Sequence, residues 1–147
     1  MKITSEILTL TKEHHSALSL ANKCINTAKT GSAVEIDALC LRISTLFKIN
    51  FQAHFETEER TVFAPLKSLS IELEQLCNKL TDEHQQLYQL SKKLADNSTQ
   101  LSSFGELLKS HSRTEDRQLF PYVKELSNAE KLAITQSSEL HTSNEKI

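Results

Sequence analysis

Apolar residues recur at steps of three and four along most of the chain, which is the spacing of one face of an α-helix. Short polar segments separate four such stretches. The stretches run over about Ser5–Ala28, Val34–Ala64, Leu69–Ala95 and Leu101–Phe120. Four amphipathic helices with short connections predict an all-α fold, an up-down-up-down four-helix bundle.

The two ends of this pattern are less regular. Thr11 is an alternative N-cap for the first helix, and the sequence leaves both starts open. A capping box at Ser127–Glu130 predicts a short fifth helix that reaches about Leu140. Residues 141–147 are polar and predicted to form a frayed tail. We therefore expect a single domain over residues 1–147, with a core over about 5–126, a short helix over 127–140 and a tail over 141–147.

Composition excludes several classes of protein. With 147 residues, 2 Gly and 2 Pro, the chain has too few turn residues for a sandwich or barrel. A net charge of −2 argues against a nucleic-acid binder. No apolar run approaches the roughly 20 residues of a membrane span, and the N-terminus lacks the apolar core of a signal peptide, so we expect a cytoplasmic protein. Cys24, Cys40 and Cys77 are widely spaced and predicted to be reduced and buried.

Polar residues interrupt the apolar stripes at matching places. Each stripe contains one histidine, and in the second and fourth a glutamate follows one turn later. These residues are His14, His54, Glu58, His84, His111 and Glu115. A buried carboxylate needs a partner, and no Lys or Arg lies on these stripes. Residues i and i+4 share a helix face, so each His–Glu pair can direct two ligands to one point, and we expect all six to bind metal.

An internal repeat supports this assignment. LTKEH at 10–14 matches LTDEH at 80–84, and HFETEERTVF at 54–63 matches HSRTEDRQLF at 111–120. Pro65 and Pro121 follow the two copies of the second motif. The repeat pairs His14, and not His15, with His84. Two similar metal-binding halves related by an approximate two-fold axis are therefore expected.

The ligand types indicate the metal. Imidazole and carboxylate together suit iron, manganese or zinc, and no cysteine cluster indicates a thiolate site. Two ions with two histidines each, sharing both glutamates as bridges, account for all six ligands. We expect two Fe ions joined by an oxo or hydroxo bridge, with Zn or Mn as alternatives. An open coordination position would admit O2, NO or peroxide.

Four segments in order resemble the hemerythrin-like (HHE cation-binding) domain family: EHHSALSLA, HFETEERTVFAPL, DEHQQLYQL and HSRTEDRQLFPYV, within about Leu10 to Leu126. The resemblance implies a four-helix bundle, a non-haem di-iron centre and binding of O2 or related molecules. The family's ligands fall on the same six residues. Oxygen-carrying members have a second histidine near that of the third helix, where this chain has Leu87 and Tyr88. The resemblance therefore favours the four-His, two-Glu members, which are linked to oxygen or iron sensing and to nitrosative or oxidative stress.

The remaining polar and aromatic residues receive simpler predictions. His15 is expected beside the site, with a role as fifth ligand left open, and His141 is expected to be solvated. A solvated charged face, with Glu56 paired to Arg60, is favoured over an orienting role for Glu59, Arg60, Asp116 and Arg117. The aromatic residues are predicted to be core, with those near the ligands shielding the site: Phe51, Phe55, Phe63, Tyr88, Phe104 and Phe120.

Three functions remain. The first is binding or sensing of O2, NO or iron, the second is a di-iron peroxidase or oxidase, and the third is a metal-stabilised structural bundle. The first is favoured because the sequence contains no dedicated substrate motif, second domain or basic patch. No candidate nucleophile or general base lies outside the ligand set, which argues against an enzyme, and six interior polar ligands are far more than a structural bundle needs. Whether the protein is an enzyme stays open. Small molecules are the expected partners, with no nucleic acid or membrane and with protein partners unassigned.

Overall fold

The computed structural model describes residues 5–141 and residue 147. Five α-helices of eleven residues or more follow a 3-10 turn at Ser5–Ile7, and the described residues contain no strand. The helices are α1 (Leu8–Thr30), α2 (Ala33–Thr57), α3 (Ile71–Lys93), α4 (Leu101–Thr114) and α5 (Asn128–Ser138). The prediction of an all-α protein is confirmed.

Serine caps fix where three of these helices begin. Capping boxes open α2 and α5, where Ser32 and Ser127 each accept a hydrogen bond from the third residue of the helix. The Ser70 side chain accepts a hydrogen bond from the Leu73 backbone N–H, so α3 begins at Ile71. Its predicted start at Leu69 was wrong, and Leu69 is 46% exposed. Thr11 lies within α1 and does not cap it.

A π-helical turn interrupts the regular helix after both α2 and α4. These turns span Glu58–Phe63 and Glu115–Leu119 and end in backbone hydrogen bonds between residues five apart, from Ala64 N–H to Glu59 and from Phe120 N–H to Glu115. Proline follows after one intervening residue in both cases, at Pro65 and Pro121. It has no N–H and crowds the carbonyl four residues earlier, which loosens the preceding turn. The uninterrupted helices predicted to Ala64 and Phe120 are therefore wrong at these turns.

Two apolar clusters fill the interior. The first contains Phe47, Leu94, Leu101, Phe104 and Leu108, among others. The second contains Leu10, Val62, Phe63, Leu80 and Leu119, among others. Each of the four long helical segments contributes to both clusters, and its histidine lies near the point where the contribution changes from one cluster to the other; only Phe55, a residue of the first cluster that follows His54, departs from this order. The histidines and glutamates therefore occupy a polar layer between two apolar ones.

A close contact between helices brings α1 and α4 together. α1 packs mainly along α4, and α2 mainly along α3. A Cβ atom on Gly105 would lie 2.9 Å from the Ala21 carbonyl oxygen and 2.9 Å from the Cys24 Cβ. Only glycine fits here without moving a backbone, so Gly105 sets the distance between the helices that hold His14 and His111.

The state of the cysteines and the apolar length of the helices were also predicted. Cys24, Cys40 and Cys77 are free and buried, as expected. Within the described residues, no helix combines the length and apolar composition needed to span a bilayer.

Candidate metal centre

All six predicted ligands lie in the polar layer, and each is at most 3% exposed. Their donor atoms form two groups in which all atoms lie within 4.8 Å of one another. The first candidate metal position contains His14, His54, Glu58 and Glu115. The second contains His84, His111, Glu58 and Glu115. The two candidate positions share both carboxylates, an arrangement that suits a pair of neighbouring cations.

The distances show how Glu58 connects the two positions. Its Oε2 lies 3.2 Å from His14 Nε2 and 3.1 Å from His54 Nε2. Its Oε1 lies 3.1 Å from His84 Nε2. Each carboxylate oxygen therefore faces one position, as a bridging carboxylate requires.

Glu115 is the second shared carboxylate. Its Oε1 lies 2.7 Å from His111 Nε2 and 3.5 Å from His14 Nε2. Glu58 and Glu115 each begin a π-helical turn, and such turns occur frequently at functional sites. The two glutamates thus enter the layer at equivalent points of the repeat.

The Nδ1 atom of every clustered histidine faces a carboxylate from another part of the chain. The pairs are His14–Asp116 at 2.8 Å, His54–Glu13 at 2.9 Å, His84–Glu59 at 2.7 Å and His111–Glu83 at 2.8 Å. A carboxylate accepts a hydrogen bond from the Nδ1–H, which leaves the Nε2 lone pair directed at the centre. These carboxylates fix both the ring orientation and the tautomer needed for metal binding.

The four orienting carboxylates correct the sequence predictions. Glu59 and Asp116 are not merely part of a solvated face, and their alternative role of orienting imidazoles is the one the contacts support. Glu13 and Glu83 were not predicted at all. Both halves of the repeat contain a glutamate directly before the histidine, at 13–14 and 83–84, and that match was the available signal.

The predicted pairing of Glu56 with Arg60 also differs from the structure. Arg60 Nε donates to the backbone carbonyl of Glu56 at 3.4 Å. The Glu56 carboxylate instead accepts a hydrogen bond from Gln52 Nε2 at 3.0 Å. Both side chains remain on the solvated face that the sequence predicts for this part of the helix.

Unsatisfied atoms in the layer test whether a cation fits. His111 Nε2 and both carboxylate oxygens of Glu115 are buried without a hydrogen-bond partner. The 2.7 Å contact between these residues lacks hydrogen-bond geometry. Leaving such an atom unsatisfied costs about 1–3 kcal/mol. Four imidazole nitrogens and two carboxylates fit a pair of divalent or trivalent cations, which would satisfy these atoms.

In the metal-free protein, the buried imidazoles of this layer are protonated. Burial disfavours a charged imidazole, but the charge of Glu58 outweighs it and raises the pKa of His54 to about 9. The charge of Glu115 likewise overcomes burial and raises the pKa of His111 to about 10. Burial also disfavours the ionised Glu58, yet the His54 charge holds the pKa of this carboxyl well below its ordinary value. A cation would take the place of these protons.

Aromatic rings cover the ligands from both apolar clusters. The Phe55 ring stacks on His84 at 3.8 Å between centroids, and the Phe63 ring lies 5.6 Å from the same imidazole. The Phe120 ring stacks on His14 at 5.0 Å. The prediction that the phenylalanines are core is confirmed, and these three shield the imidazoles from water.

The structure does not bring His15 to the cluster. His15 is exposed and lines an open cavity of about 420 Å³, which Lys23 and His54 also line. Leu87 is fully buried in the first apolar cluster, one turn after His84. Among the described residues, a fifth histidine at the centre is therefore absent.

His141 is not solvated, contrary to prediction. Its side chain is 9% exposed and its Nδ1 lies 2.9 Å from Glu13 Oε2. Ile147, at the end of the predicted tail, donates its backbone N–H to Asn50 Oδ1 at 3.3 Å. The rest of that tail, residues 142–146, lies outside the described residues.

Comparison with known proteins gives one family. The family model described as "Hemerythrin HHE cation binding domain" matches residues 5–123. The matched segment contains all six clustered residues and the four carboxylates that orient the imidazoles. No curated protein and no solved structure matches the chain.

Proposed function

Because the chain belongs to the hemerythrin HHE cation-binding domain family, we propose that it binds two iron ions and uses them to bind or sense O2, NO or a related small molecule. The ligands in this proposal are His14, His54, Glu58, His84, His111 and Glu115. The observation that supports it most directly is the pair of four-residue groups that share Glu58 and Glu115. Iron is favoured over Zn or Mn by the family, since the donor set alone suits all three.

When bound, a pair of iron ions supplies redox chemistry and open coordination positions for a small ligand. The chain's own residues hold and shield that pair. Glu13, Glu59, Glu83 and Asp116 orient the imidazoles through their Nδ1–H groups. The surrounding phenylalanine rings exclude water and leave little room for a large substrate. These surroundings favour binding or sensing over catalysis.

The proposal includes the arrangement of the helices. α1 and α3 contribute first to the second apolar cluster and then to the first, whereas α2 and α4, continued through their π-helical turns, contribute in the opposite order. This alternation supports an up-down-up-down bundle of α1–α4. We propose that the bundle and α5 form one domain over residues 1–147.

Metal analysis tests the proposed centre. Protein reconstituted anaerobically with ferrous iron and freed of excess metal should retain two iron atoms per chain. Glu58→Ala should retain fewer than two, because both positions lose a shared carboxylate. Glu56→Ala, an exposed position on the same helix, should retain two. One zinc ion per chain with no affinity for iron would contradict the proposal.

Stopped-flow spectroscopy of the reduced, iron-loaded protein tests the small-ligand part. Mixing with O2, NO and peroxide in separate experiments should change the iron absorption with at least one of them. A reversible O2 adduct would indicate carriage, repeated turnover an enzyme, and a single slow oxidation a sensor or store. Unchanged spectra with all three would favour the structural bundle and contradict a sensing role.

A further inference from the structure

The C-terminal end of α5 reaches one of the two proposed metal positions. α5 packs against the π-helical turn that begins at Glu58 and against α2. Directly beyond it, His141 Nδ1 lies 2.9 and 3.0 Å from the two carboxylate oxygens of Glu13. Glu13 in turn accepts a hydrogen bond from His54 Nδ1 at 2.9 Å. His141 is therefore connected to a proposed ligand through a single carboxylate.

The second ring nitrogen of His141, Nε2, also has a hydrogen-bond partner. Its Nε2 lies 2.7 Å from the hydroxyl of Thr57, and that hydroxyl lies 2.6 Å from the hydroxyl of Ser137. With the proton on Nδ1, the imidazole donates to Glu13 and accepts from Thr57, while Thr57 accepts from Ser137. Every donor in this network has an acceptor, which gives Glu13 a fixed position.

The second metal position lacks this network. Glu83 is the repeat counterpart of Glu13, and its free oxygen lies 4.0 Å from the Nζ of Lys79, a residue that is 64% exposed. Thr114 corresponds to Thr57, but it lines an open surface cavity, whereas Thr57 is 1% exposed. Among the described residues, no imidazole stands beside Glu83 as His141 stands beside Glu13. The approximate two-fold symmetry of the ligands thus does not extend to their surroundings.

We propose that His141 is a positioning residue that locks Glu13, and through it His54, so that the two metal positions hold iron unequally. This inference rests on the proposed di-iron function and extends it to the C-terminal end of α5. Glu13 is 31% exposed, so without His141 it is free to turn toward solvent. His54 would then lose its orienting partner, and the first position would release its metal faster.

Iron release from the loaded protein tests this inference. The protein is mixed with excess ferrous chelator and the released iron is followed by absorbance. Wild type should release its two irons in two phases of equal amplitude. His141→Phe keeps a ring but cannot form hydrogen bonds, and in this variant one phase should become about tenfold faster. Tenfold is the lower end of the effect expected when a metal-binding histidine loses its hydrogen-bond partner. The other phase should keep its wild-type rate.

Two matched variants separate positioning from general loosening. Lys79→Ala removes the lysine that lies beside the free oxygen of Glu83 at the second position and should leave both phases unchanged. His141→Gln retains an N–H that can donate to Glu13 and should restore most of the wild-type rate. Mössbauer spectra of ⁵⁷Fe-loaded His141→Phe should show a shift in one iron site only. Circular dichroism establishes that each variant keeps its helices.

The outcomes are distinct. If wild type fails to retain two irons, the proposed function is wrong. If it retains two and His141→Phe releases both at wild-type rates, only the positioning role is overturned. Equal acceleration of both phases, or loss of both irons from the isolated variant, also overturns it. Isolation of His141→Phe with one iron supports it.

Discussion

At the scale of single residues, each clustered histidine has two distinct faces. Nε2 points to the shared carboxylates and Nδ1 to a carboxylate that is not shared. The orienting carboxylates are partly or fully buried, and each is next in sequence to a clustered residue. They are Glu13, Glu59, Glu83 and Asp116. A short stretch of chain thus supplies one proposed ligand and the carboxylate that orients a proposed ligand on another helix.

Glu59→Gln tests this support. The amide keeps the size of the side chain but removes the negative charge that accepts the His84 Nδ1–H at 2.7 Å. We expect metal affinity at the second position to fall about 10–100-fold, as is typical when an outer partner of a ligating histidine is lost. Competition with a chelator measures this affinity.

Glu56→Gln is the control for Glu59→Gln. It makes the same charge change at an exposed position on the same helix. Equal losses of affinity in the two variants would mean that overall charge, and not the His84 contact, is responsible.

At the scale of helices, the sequence predicted the helical segments accurately, but it did not predict the π-helical turns at which two of them end. The capping box predicted at Ser127 is present, and α1, α2 and α5 begin or end close to the predicted positions. The π-helical turns were not predicted. The same residues satisfy an α-helical pattern, and only the backbone hydrogen bonds distinguish the two forms.

Gly105→Ala tests the contact between α1 and α4. Alanine normally stabilises a helix by about 1 kcal/mol relative to glycine. Here its Cβ would lie 2.9 Å from the Ala21 carbonyl oxygen, and a backbone must shift. We expect the free energy of unfolding to fall by about 1–3 kcal/mol, the usual cost of overpacking, measured by urea denaturation.

Ser103→Ala provides the comparison for Gly105→Ala. Ser103 is exposed on the same helix, and alanine there should leave stability unchanged or slightly higher. If Gly105→Ala also stabilises the protein, the two helices are free to move apart at this point.

At the scale of the whole molecule, two apolar clusters enclose a charged layer that neither cluster can neutralise. Without metal, neighbouring carboxylates overcome burial and raise the pKa of His54 to about 9 and of His111 to about 10, so these imidazoles stay protonated at neutral pH. With metal, the cations would take that role. The stability of the fold should therefore depend on pH differently in the two forms.

Chelator-treated protein tests this dependence. A histidine pKa that is raised in the folded state contributes stability below its unfolded value of about 6.5, and this contribution is lost as the pH rises through the folded value. The urea midpoint of the metal-free protein should therefore fall between pH 7 and pH 10. The iron-loaded protein has the same surface groups and should show a smaller fall. Parallel curves for the two forms would contradict protonation of the layer.

The sequence by itself determined the helices, the position of each histidine and glutamate on a buried stripe, and the division into two similar halves. Periodicity and repeats are properties of neighbouring residues, so these features needed no knowledge of how the helices pack. Only the tertiary structure decided that Glu59 and Asp116 orient imidazoles, that Glu13 and Glu83 join them, and that His141 contacts Glu13. These contacts join residues that lie 25 or more positions apart in sequence, and they depend on the rotation and spacing of whole helices. Close contacts such as Gly105 and the two π-helical turns set that rotation and spacing, and no local pattern encodes it.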